Sequence, residues 1–114
     1  METQRKQSRV ECDVIFNKYE SQAMTICRAT NISLGGMRVQ RLLEPCRLEG
    51  ARLRLEIELP GDDEPISIGA RRVYDDGEND FFGVRFTDIS HADFLKLRSW
   101  VHDRTIRDEL PSFG

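Results

Sequence analysis

The chain has 114 residues, a net charge of −3, 39% hydrophobic and 32% charged residues. A domain of that size buries a core without disulfide or metal staples, and no apolar run approaches the roughly 20 residues that a membrane-spanning helix needs. The acidic balance argues against a general binder of DNA or RNA, which requires a basic footprint.

The first residues, METQRKQSR, are basic but precede no apolar segment, so they do not read as a secretory signal. A cytoplasmic protein is expected. Charge is uneven along the chain: Arg5, Lys6 and Arg9 outweigh Glu2 in the leader, and acid dominates the rest. A basic leader on an acidic body suits a small anion bound at one edge.

From Val10 the apolar residues Val10, Cys12, Val14 and Phe16 alternate with Glu11 and Asp13, the period-2 pattern of a strand with one buried face. Asn17 to Gln22 is polar and reads as a turn. Ala23 to Thr30 resumes as a second strand leading into Asn31 and Ser33. Gly35 and Gly36 reverse the chain into a third strand, Met37 to Gln40.

Leu43 to Gly50 is irregular, broken by Pro45 and Gly50. Arg52 to Leu59 alternates cleanly, with Leu53, Leu55, Ile57 and Leu59 on one side. Pro60-Gly61-Asp62-Asp63 is a turn, since Pro presets φ and Gly accepts φ > 0. The fifth strand starts in phase at Ile66, Ile68 and Ala70 and loses phase at Arg71-Arg72, which suggests a bulge. Asp76-Gly77 forms a hairpin, and Phe82, Val84 and Phe86 give the inward side of the sixth strand. The period then changes to that of a helix. Ser90 followed by Asp93 resembles a capping box, and Phe94, Leu97 and Val101, widened by Trp100, line one stripe ending near Arg104.

Six strands followed by one helix predict a mainly β chain: a six-stranded antiparallel barrel with a C-terminal α-helix. The expected divisions are a flexible basic leader over residues 1–9, barrel plus helix over 10–105, and a tail over 106–114. Cys12, Cys27 and Cys46 are widely spaced with no CxxC pair and read as small buried hydrophobes in a reducing compartment. Neither His91 nor His102 lies near a cysteine, so no zinc site is expected. No nucleophile constellation or catalytic carboxylate pair stands out, and neither enzymatic activity nor a cofactor is expected.

Two short patterns carry chemistry. Arg5 and Arg9 place two guanidiniums four residues apart, and Asn31-Ile32-Ser33-Leu34-Gly35-Gly36 follows downstream. An Arg fork matches the O6 and N7 acceptors of guanine, a pairing worth about 1–3 kcal/mol, and it clamps phosphate better than Lys does. Asn31 offers a donor and an acceptor, and Ser33 a hydroxyl. Each pattern alone is weak, since NxSxxG also describes a side-chain-capped hairpin.

In combination, RxxxR followed by NxSxxG resembles the PilZ domain family of cyclic di-GMP receptors. The resemblance runs from Arg5 to about Trp100, and Phe82-Gly83-Val84-Arg85-Phe86 is similar to the family's last barrel strand. It implies a barrel that binds cyclic di-GMP on its outer surface, with the leader wrapping the ligand. Arg5 and Arg9 would contact guanine and phosphate, Asn31 and Ser33 would hold a base edge, and Gly35 and Gly36 would give the ligand room. Family members often carry Asp where this chain has Asn31. One ligand or a stacked pair is compatible with the pattern.

With no second domain expected, output would pass through an unidentified effector protein. The alternative is a protein-interaction module of the same fold that acts independently of nucleotide. An oligonucleotide-binding barrel is disfavoured because Phe16, Phe82 and Phe86 fall in phase with the core rather than on a stacking surface.

Overall fold

A computed structural model describes residues 9–20, 23–43, 51–62, 64–76 and 80–109. Six strands and one helix follow in order: β1 Val10–Glu20, β2 Ala23–Ile32, β3 Gly36–Leu43, β4 Arg52–Ile57, β5 Ile66–Asp76, β6 Phe81–Ile89 and α1 His91–Glu109. The strands close into an antiparallel barrel in the order β1-β2-β3-β6-β5-β4. Two three-stranded meanders therefore meet at two seams, β3 with β6 and β1 with β4.

The period-2 pattern works as expected. Val14 and Phe16 from β1, Cys27 and Ala29 from β2, Val39 from β3, Leu55 and Ile57 from β4, Ile68 from β5 and Phe82 from β6 all point into one core. Each fully buried large aliphatic or aromatic side chain contributes about 1.5–3 kcal/mol of transfer free energy. The phase slip in β5 is real: its register against β6 shifts between Gly69 and Ala70 and again between Arg72 and Tyr74. Such bulges bend a strand, as barrel closure requires.

The turn after β4 is built as its residues dictate. The Asp62 amide donates to the Leu59 carbonyl at 3.0 Å, and Gly61 takes φ 91°, the glycine position of a type II turn behind Pro60. Residues 77–79 of the hairpin after Asp76 and the irregular stretch at 44–50 fall outside the described residues, as does Cys46.

Helix α1 lays Leu97 and Val101 on the barrel as buried residues, with Trp100 packed partly against the core. The Ser90 hydroxyl accepts from the Asp93 amide at 3.1 Å, the first half of a capping box. The second half is redirected. Asp93 accepts from the Ser67 amide at 3.1 Å and ties the helix start to β5. The helix also continues to Glu109, beyond the end near Arg104 that periodicity suggested.

One expectation is overturned. Asn17 to Glu20 is not a turn but the end of β1, and Lys18 and Glu20 continue the inward phase of Val14 and Phe16. Lys18 is fully buried, and its Nζ donates to Glu20 Oε2 at 2.8 Å. Arg72 Nη1 reaches the other Glu20 oxygen at 3.2 Å, while Arg41 forks onto Asp75. Arg41 and Arg72 also stack on Phe82, 4.7 and 4.5 Å from its centroid. Polar composition marks a turn only when water solvates the side chains. Here buried partners replace the water.

Candidate functional site

The β1–β2 hairpin sets Val10 opposite Ile32 and Glu11 opposite Asn31, so Arg9 arrives at the end of β2. Arg9 Nη1 donates to Asn31 Oδ1 at 2.9 Å across 22 residues of sequence. The second arginine of RxxxR and the first residue of NxSxxG are thus brought together at the surface. Arg5 lies outside the described residues.

Ser33 is placed differently from Asn31. It is buried, and its hydroxyl donates to the Gly36 carbonyl and accepts from the Gly35 and Gly36 amides, each at 3.2 Å. A hydroxyl has one donor and two acceptor sites, so all are used. The Ser33 amide closes the same turn on the Gly36 carbonyl at 2.8 Å, and the Gly35 carbonyl accepts from the Phe86 amide at 2.8 Å. Ser33 therefore shapes the turn that presents Asn31. Gly36 is required by the same packing: a Cβ there would overlap the Val84 carbonyl of β6. Its missing side chain makes room for the neighbouring strand.

Sequence reasoning missed half of the site. Strand register lays one row across the outer surface, with Asn31 opposite Arg38, Arg38 opposite Gly83, and Gly83 opposite Tyr74. Tyr74 lies over Gly83, where any Cβ would collide with its ring. Arg38 stacks on Phe81 at 3.9 Å from the centroid. With Arg9 and Val84 these residues bound a groove of about 240 Å³. Gly83 was the available signal, because glycine in a strand marks close approach of another group. The partners across the row were invisible without the register.

The groove can do three things. Arg9 and Arg38 present guanidiniums to an anion or a base edge. Asn31, its oxygen taken by Arg9, offers its amide N–H groups as donors. The half-exposed Tyr74 ring offers a stacking face. These are the parts of a site for a small, anionic, aromatic ligand.

The cysteines are quiet by comparison. Cys27 is buried, and the half-buried Cys12 donates to the Ala29 carbonyl at 3.4 Å. Burial pushes the Cys12 thiol up to about 11, opposed by the nearby Arg104 guanidinium. Among the described residues, no group of three or more His, Cys, Asp or Glu side chains is placed to hold a metal ion. Nor is any helix among them long and apolar enough to cross a membrane.

A closed barrel with a surface groove of this make-up defines a small β-barrel binding module. The PilZ domain family model matches residues 3–103, and the chain belongs to that family. The fold is similar to that of the Bacillus subtilis inhibitor of motility MotI/DgrA, with TM-score 0.74 and 19% identity over 94% of this chain. The chain spans about half of that protein, 54% of its length. It is also similar to the PilZ domain of YcgR from Escherichia coli, solved with c-di-GMP, with TM-score 0.64 and 18% identity over 93% of this chain and 98% of that one. The PilZ domain of CeSA from a cellulose-synthesizing bacterium aligns with TM-score 0.64 and 16% identity over 84% and 96% of the two chains. No curated protein sequence matches significantly.

Proposed function

We propose that this chain is a non-catalytic receptor for cyclic di-GMP that signals through a partner protein. The observation that carries this reading is the contact of Arg9 with Asn31 in a groove shared with Arg38 and Tyr74. The similar PilZ domain of YcgR, which holds c-di-GMP, supports the choice of ligand.

In this reading Arg9 swings from Asn31 to the O6 and N7 acceptors of a guanine, a pairing worth about 1–3 kcal/mol. Asn31 then donates to the same base from the rigid turn built by Ser33. Tyr74 stacks on the purine, and Arg38 and Arg5 neutralise phosphate charge. Fixing the leader around Arg5 costs about 1–2 kcal/mol per residue. Contacts from the rigid barrel must offset that cost. Binding thus changes the conformation of the leader beside the barrel, which a partner senses.

Calorimetric titration with cyclic di-GMP tests the reading. Saturable binding is expected in the native chain, weakened at least about tenfold by Arg9→Ala and by Arg5→Ala, a loss of about 1.4 kcal/mol or more. No heat from the native chain, or equal affinity in both variants, sinks the reading and favours a nucleotide-independent interaction module.

A further inference from the structure

A second row of outward side chains lies along the strands from the groove, two residues on along β6 and three back along the bulged β5. Arg52 of β4 is directly opposite Arg71 of β5, and Arg71 is directly opposite Arg85 of β6. All three are exposed, and among the described residues none of them makes an ion pair. Directly opposed side chains are only about 4.5–5.5 Å apart at Cβ, and like charges there are destabilising.

The contrast with Arg54 is instructive. One outward step along β4, Arg54 crosses Gly69 to reach Asp88 at 3.2 Å and also holds the Ser67 hydroxyl at 3.0 Å. Pairing is thus available on this face, yet the row of three goes without it. Beside the row is a hollow of about 540 Å³ bounded by Tyr19, Arg52, Arg54, Arg71 and Thr87. At its far end Arg85 is opposite Gly36, the last residue of the turn that presents Asn31.

We propose that the Arg52–Arg71–Arg85 row docks an acidic segment of a partner protein. The row spans two strand spacings, about 10 Å, the reach of three or four residues of extended peptide. Its sign is opposite to the chain's net charge of −3, so it complements an acidic segment. On the side away from the groove, Asp88 on β6 and then Glu56 on β4 follow it, in the next two outward rows. A nucleic acid or an anionic membrane, each needing a broad uninterrupted basic surface, would meet those carboxylates. A narrow acidic segment avoids them. The proposal deepens the receptor reading by giving the chemistry of the partner that would sense the neighbouring turn.

The probe is a fluorescent oligoglutamate peptide of about six residues, long enough to cover the row, titrated by anisotropy at about 50 mM salt, where surface charges are weakly screened. An oligoglutamine peptide is the control. The glutamate peptide should bind, the control should not, and Arg71→Gln should weaken binding about tenfold. The same variant should keep its affinity for cyclic di-GMP and melt at the same temperature or up to about 4 °C higher, since a like-charge conflict is relieved.

Equal binding of both peptides, or no effect of Arg71→Gln, overturns the proposal. Tighter capture of oligo-dT or of phosphatidylglycerol vesicles than of the glutamate peptide also overturns it, as does a melting point lowered by several degrees. Loss of cyclic di-GMP binding in Arg71→Gln would instead assign the row to the nucleotide groove and end the docking idea. Peptide binding without any nucleotide binding in the native chain would remove the receptor reading alone.

Discussion

Arginine is used in two opposite ways in this barrel. Inside, Arg41 and Arg72 are buried against Phe82, each tied to Asp75 or Glu20, beside the fully buried Lys18. Outside, Arg9 and Arg38 edge an open groove, and Arg52, Arg71 and Arg85 line up without an acid to pair with among the described residues. A buried charge must be compensated within the protein, because several kcal/mol of solvation per ion have been given up. An exposed charge need not be, and its hydrogen-bonding capacity remains for something else. The same residue type is therefore structural where it is buried and paired with an acid, and recognition-competent where it is exposed.

The sharpest way to break this comparison is Glu20→Ala. It removes the acid shared by Lys18 and Arg72, and the loss expected for breaking a buried pair is about 3–5 kcal/mol, read by urea unfolding. A change under about 1 kcal/mol would mean the interior charges are solvated after all.

Gly36→Ala addresses the border between the two regions, since its Cβ would press on the Val84 carbonyl. Overpacking of this kind costs about 1–3 kcal/mol, and ligand affinity should fall with it because the turn carrying Asn31 is displaced. Retained stability with a normal titration would show that β6 yields instead.

A pH titration of stability probes Cys12, raised from 9.0 to about 11 by burial. The folded state favours the neutral thiol, so this contribution is complete below about pH 9 and is lost as pH rises through about 11. In a Cys46→Ser background, alkylation of Cys12 at pH 8 should be slow and should accelerate on unfolding. Rapid modification of the native chain would contradict its burial.

The smallest effect on folding is expected from Arg9→Ala, within about 0.5 kcal/mol, despite the loss of ligand affinity predicted above. A large destabilisation would move Arg9 into the structural class and dissolve the distinction.

How much of this the sequence reveals depends on whether the signal is local. Alternation from Leu53 to Ile57 and the Pro60-Gly61 turn are local, and they exposed the barrel. The bulge after Arg71 was visible as a phase slip. The end of β1 was hidden because Lys18 and Glu20 look solvated until Arg72, about 50 positions later in the chain, arrives beside them. At the site, Arg9, Asn31, Ser33 and Gly36 were legible as motifs, but the turn-closing duty of Ser33 was not. Arg38 and Tyr74 joined the groove only through strand register, which no spacing rule encodes.

The closed order of strands has a kinetic consequence. Each meander forms from neighbouring segments, whereas the β3–β6 seam joins residues more than 40 positions apart and is slow to nucleate. The groove straddles that seam, with Arg9, Asn31 and Arg38 on one meander and Tyr74 and Gly83 on the other. A molecule held in it would act as a clasp, absent while the halves first meet and fully engaged once they have. Such a clasp would slow unfolding far more than it hastens folding, so occupancy would be recorded in the lifetime of the native barrel.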